Sequence, residues 1–522
     1  MQVVDNLALR AAVPNEVTLS VTQRFDRSEV VGDELLLYWD YEEASFLARS
    51  LDQYRPHPSI SDVPSPMLRD YKWPGIYKPF DHQKVTASFL SLRDRAFCFN
   101  EAGTGKTSAA IWAADYLMTL GKVRRVLVIC PLSIMHSAWQ QDVFKTAMHR
   151  SCAVAHGSAD KRRKIINDTY DFVVINFDGV HTVRDAIAAA DFDLIIVDEA
   201  NSYKTVNTRR WKTLVKLVKS NTKLWMMTGT PASQSPVDAF GLAKLVAPTR
   251  VPKFLNAWKD RVMWQKSRFT WIPKVTAKQD VFNVLQPAVR FAKSECLDLP
   301  EVTYQTRLVP LTPQVISYYK KLKSQMLVEA VGQKISAVNA AASLNKLLQL
   351  SGGAVYTDKK DVVEFDISPR LNALMEVLDE TENKVLVFVP YSHTITVVTR
   401  FLTENRISNA VIEGDVSAAR RAEIISQFQN LQDPRVLVIQ PQAASHGVTL
   451  TAADTVVFWS PVMSVETYLQ CIARIDRVGQ KNAMTVVHLE GSAVERRVYD
   501  MLQNKVSSHQ ALVDLYSQEL EI

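Results

Sequence analysis

Little in this sequence points to cross-linking. Its five cysteines, Cys98, Cys130, Cys152, Cys296 and Cys471, stand far apart without a Cys-x-x-Cys pair, so neither a zinc site nor a disulfide framework is indicated. Glycine (16) and proline (22) are too sparse in 522 residues for a collagenous or low-complexity chain. No run of 18 apolar residues occurs, and Met1 to Pro14, with Asp5 and Arg10, lacks the apolar core of an export signal. The expectation is a chain that neither spans a membrane nor leaves by a standard signal. An excess of one charge is also missing: 61 Lys and Arg against 55 Asp and Glu give +6, which permits a polyanionic partner without demanding one.

What is present is the profile of a folded machine, 47% hydrophobic and 22% charged, long enough for about three domains at roughly 100 to 200 residues each. Apolar runs alternate with helical patterns in two blocks, the signature of βαβ units. The first block offers strands at Arg95–Phe99, Val126–Cys130, Phe172–Asn176, Leu194–Val197 and Lys223–Met227. The second offers Lys384–Val389, Asn409–Ile412, Val436–Ile439, Thr455–Trp459 and Thr485–Leu489. The expected fold class is α/β, with two doubly wound parallel sheets. The expected order is a small module over 1–70, a first α/β domain over 71–249, a helical connector over 250–372 and a second α/β domain over 373–522. Proline clusters at Pro56, Pro58, Pro64 and Pro66 mark the first boundary. Apolar spacing at Tyr318, Leu322, Met326 and then Leu344, Leu347 and Leu348 makes the connector helical, and a last helix is expected over 493–520.

The sharpest signal is Asn100-Glu101-Ala102-Gly103-Thr104-Gly105-Lys106-Thr107, between a strand and a helix. Glycines let backbone N–H groups turn toward phosphate oxygens, Lys106 reaches the β and γ phosphates, and Thr107 offers a hydroxyl to Mg²⁺. A strict phosphate loop has Gly where Asn100 stands. Downstream, the run Leu194 to Val197 ends in Asp198-Glu199-Ala200-Asn201. Alone, two carboxylates after a strand are commonly a solvated strand end. With the phosphate loop, Asp198 becomes the Mg²⁺ carboxylate and Glu199 the group that polarises the attacking water. Thr228-Gly229-Thr230-Pro231 follows another strand and fits either a γ-phosphate contact or a capped helix start. In the second block Arg474 and Arg477 stand three apart, which on one helical face would present two guanidiniums to one polyanion. These residues by themselves imply only nucleoside triphosphate hydrolysis.

Taken in order, the motifs resemble those of a Swi/Snf-type ATPase of helicase superfamily two, of bacterial or phage kind. The resemblance runs from about Tyr77 to Leu489. It includes Asp81-His82-Gln83, Val128 to Ser133 with Trp139, Asp198 to Asn201, and Thr228 to Pro231. In the second block it includes Glu413-Gly414-Asp415, Gly447 to Asp454, and Gln470 to Gln480. It implies two RecA-like domains that close on ATP and Mg²⁺. Gln83 would read the adenine edge, Ala102 to Thr107 would hold the phosphates, and Arg474 and Arg477 would act as fingers with Gln470 nearby. Pro131, Ser133, Thr228 and Thr449 would lie near surfaces coupled to the nucleic-acid backbone. Asn201 replaces a usual His, Asn100 an acidic residue and Asp476 a His between the arginines.

The implied activity is an ATP-dependent DNA translocase or helicase, a DNA-dependent ATPase acting without sequence preference on duplex, forked or branched DNA in repair or recombination. The implied setting is the cytoplasm of a bacterium or of a virus's host. The rivals are an RNA-dependent helicase of the same superfamily and a nucleotide-gated binding module with slow hydrolysis. Two basic segments bear on the choice. Arg209, Lys212, Lys216, Lys219 and Lys223 recur at helical spacing, which suits either a polyanion or a solvated face. Residues 250–274 carry seven basic residues against Asp260, interleaved with Trp258, Trp264, Phe269 and Trp271; Trp258 and Trp264 are candidates for base stacking or for a core.

Overall fold

The strand-forming runs are mainly apolar because most lie inside a parallel sheet covered on both faces, as the computed structural model shows. The structure describes residues 1–57, 61–232, 235–266, 271–296, 299–330, 337–356, 362–444 and 448–504. The chain divides into two compact units, Met1–Leu297 and Asp298–Ile522.

The first unit opens with an antiparallel sheet of β1 (Gln2–Val4), β2 (Ala8–Ala11), β3 (Ser28–Val31) and β4 (Glu34–Tyr38), in the order β1-β2-β4-β3, with helices Asn15–Thr22 and Tyr41–Asp52. This is not a separate body. Leu9, Leu35, Leu37 and Leu47 enter the same apolar cluster as Trp112 and Trp139, and the buried Arg93 pairs with Asp52 at 3.0 Å.

The main sheet contains β5 (Arg95–Cys98), β6 (Val126–Cys130), β7 (Cys152–Val154), β8 (Phe172–Asn176), β9 (Leu194–Asp198) and β10 (Lys223–Met227). A hairpin of β11 (Met263–Gln265) and β12 (Trp271–Pro273) follows, and β13 (Ala288–Val289) then joins the sheet. The order is β13-β5-β10-β9-β6-β8-β7, all parallel. Side chains alternate between two cores, Phe97, Leu127, Val173, Ile195 and Leu224 into one and Cys98, Val128, Val174, Ile196 and Trp225 into the other. Met227 pairs with both Cys98 and Asp198, so β5, β10 and β9 end level and their loops emerge side by side.

The second unit contains β14 (Val302–Leu308), a hairpin of β15 (Ala354–Tyr356) and β16 (Val362–Glu364), then β17 (Lys384–Phe388), β18 (Asn409–Ile412), β19 (Val436–Ile439), β20 (Ala453–Phe458) and β21 (Met484–Glu490). Its sheet has the order β14-β21-β20-β17-β19-β18, again all parallel. A buried ion pair ties helix Ser368–Asp379 to helix Ala493–Gln503: Arg370 Nη2 donates to both Glu495 oxygens at 2.9 and 2.8 Å.

The fold class is therefore α/β with two doubly wound parallel sheets, as expected. The stretch read as a connector, 250–372, is divided between the units. Trp258 and Val262 fill the first core and β13 extends its sheet beside β5. On the other side, β14 pairs with β21, and Leu344, Leu347 and Leu348 enter the second core. Helices Pro313–Ala330 and Ala337–Gly352 do form there. Of the helix expected over 493–520, Ala493–Gln503 is described; the remainder lies outside the described residues, as do Pro58, Phe269, Gly447 and the side chain of Met326.

Candidate functional site

The strand β5 delivers the phosphate-type loop, and helix Lys106–Thr119 starts directly from it, so its N-terminal N–H groups face the loop. Gly103 and Gly105 take φ of 87° and 76°, the left-handed region open to glycine. At Gly105 a Cβ would also displace the Gln83 amide from its place against the loop. Lys106 Nζ donates to the Asn100 and Glu101 carbonyls at 2.8 and 3.1 Å, which holds the ammonium inside the loop.

Helix Asp81–Ser91 buttresses the loop. Gln83 accepts from Phe80 N at 2.9 Å and donates to the Gly105 carbonyl at 3.2 Å, while His82 Nε2 donates to the Thr104 carbonyl at 2.8 Å. Asn100, where an acidic residue was expected, is buried. Its amide donates to Thr86 Oγ1 at 2.8 Å and accepts from Phe291 N at 3.1 Å. Glu101 accepts from Lys293 N at 3.0 Å, so the chain beyond β13 encloses the loop. Sequence reasoning missed this flank, because a two-residue strand leaves no periodic signal.

At the end of β9, Asp198 is buried. Its Oδ1 accepts from Glu199 N at 3.0 Å and its Oδ2 from Trp139 Nε1 at 3.0 Å. Burial pushes the Asp198 carboxyl up from its ordinary value, and the nearby Lys106 ammonium is the largest opposing influence. Glu199 adopts φ 53°, a left-handed turn that swings its side chain out of the strand direction. Asn201, standing where a His was usual, donates to the Thr230 carbonyl at 2.7 Å. Thr228 N bonds the Cys98 carbonyl, and a Cβ on Gly229 would lie 3.3 Å from Ala102 N. The loop, Asp198–Asn201 and Thr228–Pro231 thus form one continuous site. The Thr107 hydroxyl and Asp198 carboxylate are hard oxygen donors, the set that suits Mg²⁺ held together with phosphate oxygens.

In the second unit the two arginines do meet, but not on a helical face. Helix Val465–Ile472 ends before them, and both guanidiniums reach the Val448 carbonyl, Arg474 at 3.1 Å and Arg477 at 3.0 Å. Arg474 is 4% exposed and also donates to the Gln470 carbonyl at 2.7 Å; Arg477 donates to the exposed Thr449 Oγ1 at 2.9 Å. The turn that follows the helix, and not a shared helical face, brings the two guanidiniums together.

The expected nucleic-acid residues scatter. Pro131 is buried and Ser133 half-buried at the start of the turn Leu132–Ile134. Thr228 is fully buried and accepts from Thr230 N, so its side chain has no open face. Trp258 is also core: it is fully buried and donates to the Pro236 carbonyl, which leaves no ring face for a base. Trp264 is 61% exposed, and Trp271 carries Lys259 Nζ 3.8 Å above its ring. The basic series also divides. Lys219 pairs with Asp191 at 2.6 Å and Lys223, in β10, with Asp94, whereas Arg209, Lys212 and Lys216 line a cleft of about 360 Å³ with His181, Arg184, Asn207 and Thr213. Around it Arg184 pairs with Asp185 and Arg210 with Asp178.

Residues 82–353 match the SNF2-related domain and residues 369–479 the helicase conserved C-terminal domain. The chain is 25% identical over 452 residues to the SWI/SNF-related matrix-associated actin-dependent regulator of chromatin subfamily A-like protein 1 of Xenopus laevis, covering 84% of this chain and 44% of that protein. It is 25% identical over 467 residues to protein p41 of Acyrthosiphon pisum secondary endosymbiont phage 1, covering 84% of this chain and 98% of that one. The Sulfolobus solfataricus SWI2/SNF2 ATPase core in complex with dsDNA aligns at TM-score 0.42 and 21% identity, over 86% of this chain and 95% of that one. The chain thus spans under half the length of the Xenopus relative. With the family match extending over more than half of its residues, the chain belongs to the SNF2-related family.

Proposed function

We propose that this chain is an ATP-dependent DNA translocase or helicase, a DNA-stimulated ATPase that moves on or remodels duplex, forked or branched DNA in repair or recombination. The observation that carries the reading is the joining of the phosphate loop, Asp198–Glu199 and Thr228–Pro231 at the carboxyl ends of neighbouring strands, in a chain of the SNF2-related family.

The chain's own groups divide the work. Ala102 to Thr107 bind the phosphates through backbone N–H groups, and Lys106 exchanges its two loop carbonyls for phosphate oxygens. Gln83 sits at the loop's flank, where its amide can turn to the base. Thr107 and Asp198 would hold Mg²⁺, which would supply positive charge beside the phosphates. Glu199 accepts a proton from the attacking water and orients it toward the γ phosphorus. Arg474 and Arg477 supply the positive charge that stabilises the transferring phosphoryl group, with Gln470 behind them. For the polymer, the open basic row Arg209, Lys212 and Lys216 supports a polyanionic backbone, and the exposed Trp264 supports base contact.

The test is ATP hydrolysis without polymer and with single-stranded DNA, duplex DNA, forked DNA or RNA, using Lys106→Ala as the blank. Stimulation by duplex or forked DNA that vanishes in the blank is the expected result. Stimulation by RNA alone moves the assignment to an RNA-dependent enzyme, and a flat response ends the motor reading.

A further inference from the structure

Seven indole N–H groups of this chain have hydrogen-bond partners among the described residues, and six of them donate to main-chain carbonyls. Trp39 bonds Pro64, Trp112 bonds Pro74, Trp225 bonds Arg93, and Trp211, Trp258 and Trp459 do likewise. That is the ordinary way to satisfy a buried indole. Trp139 is the exception among the described residues: it is fully buried, and its Nε1 donates to a carboxylate, Asp198 Oδ2, at 3.0 Å.

The local backbone is unusual at the same place. After the tight turn Leu132–Ile134, residues Met135–Gln140 form a π-helix before the α-helix Gln141–Thr146 resumes. Such wide turns are rare and tend to persist where a side chain must be re-aimed for function. Here the side chain re-aimed is Trp139. With Glu199 N on Oδ1 and Trp139 Nε1 on Oδ2, both oxygens of Asp198 are fixed and the plane of the carboxylate is set. These are the two hydrogen bonds that the carboxylate receives among the described residues.

We propose that Trp139 is a positioning residue that fixes the orientation of the metal-binding carboxylate Asp198 and so sets the affinity of the site for Mg²⁺ with nucleotide. This rests on the nucleotide-site reading above. Outer partners of metal-binding groups are commonly worth about 10 to 100-fold in metal affinity. Trp139 also links the segment beginning at Pro131 and Ser133 to the metal carboxylate through eight residues or fewer of continuous helical turn.

The experiment measures binding of a fluorescent ATP analogue to the full chain with and without Mg²⁺, for wild type, Trp139→Phe and Trp225→Phe. Trp139→Phe is expected to bind the metal-free analogue as wild type does, and to need about tenfold more Mg²⁺ for the same gain in affinity. Trp225→Phe also loses a buried indole N–H, and it should keep the magnesium response whatever its thermal stability. Should Trp139→Phe retain the full response, or should Trp225→Phe lose it equally, the proposal is overturned. If wild type does not bind the analogue at all, the nucleotide-site reading itself fails, which is a separate outcome. If Trp139→Phe does not fold, hydrogen–deuterium exchange on wild type replaces it. Mg²⁺ added to the nucleotide-bound protein should slow exchange in the segment 132–140, and no change there rejects the proposal.

Discussion

The two motif regions of this chain both rest cations on main-chain carbonyls, Lys106 in the first and Arg474 with Arg477 in the second, but the first adds a brace of side chains. In the first unit, side chains hold the loop: Gln83, His82 and Asn100 brace its backbone, and Trp139 braces Asp198. In the second, the backbone holds the side chains, with Arg474 and Arg477 converging on the single Val448 carbonyl. A guanidinium shared on a neutral carbonyl gives up little when it turns to a phosphate, because a charged acceptor makes the stronger bond. A buttressed loop, in contrast, can keep its backbone shape while Lys106 turns from the Asn100 and Glu101 carbonyls to a phosphate. The comparison teaches that side chains fix the shape of the phosphate-type loop, whereas the chain's own carbonyls fix the place of the arginines.

The largest effects should come from the first region. Glu199→Gln should lower turnover by about 10² to 10⁴-fold while nucleotide binding is kept, since the amide cannot accept the proton. Steady-state hydrolysis beside equilibrium binding of a fluorescent nucleotide separates the two. A variant that loses both in equal measure would make Glu199 a part of the scaffold.

Next in size is the buried pair Arg370–Glu495, which belongs to the second unit and to no chemistry. Removing one partner leaves an uncompensated buried charge, so Arg370→Ala should destabilise by about 3 to 5 kcal/mol in denaturant unfolding. The double variant Arg370→Met with Glu495→Leu should recover much of that loss. Equal instability of single and double variants would show that the pair does more than cancel itself.

The arginines should then separate by burial. Arg474→Ala strips bonds from the Gln470 and Val448 carbonyls in a nearly closed pocket, which costs about 1 to 3 kcal/mol of stability. Arg477→Ala, half-exposed, should leave the melting temperature almost unchanged while lowering turnover. Melting curves beside hydrolysis rates test the split, and a turnover loss confined to Arg474→Ala would reduce the second guanidinium to a bystander.

How much of this was legible in the sequence follows from what makes a signal. Strands buried on both faces must be apolar along most of their length, so β5, β6, β8, β9 and β10 stood out by their central residues, as did their partners in the second unit. Glycines and a lysine fix the phosphate loop by identity alone. The division at 297/298 was hidden because β13 has two residues and β14, Val-Thr-Tyr-Gln-Thr-Arg-Leu, mixes polar side chains at a half-exposed sheet edge. Arg474 and Arg477 were legible as a pair and misread as a helical one, since spacing cannot say where a helix stops. The donor from Trp139 to Asp198 joins residues 59 apart through a π-turn, and no local pattern encodes that.

The smallest expected effect concerns the basic row, where the same comparison applies within one series. Arg209, Lys212 and Lys216 fall on one face of helix Arg209–Leu217 and span about 10 Å at 1.5 Å per residue, room for about three phosphates along one strand. Lys219 has its charge answered by Asp191. Each lysine or arginine that neutralises a phosphate releases about one counterion, so the triple change Arg209→Ala, Lys212→Ala, Lys216→Ala should lower the slope of log affinity against log salt by about 2 to 3. Lys219→Ala should shift it by much less than 1, and hydrolysis without polymer should be the same in both. Fluorescence anisotropy with duplex DNA over a salt series reads the slopes directly. An unchanged slope in the triple variant would make the row a solvated helix face, and would move the search for the polymer surface to the exposed Trp264 hairpin.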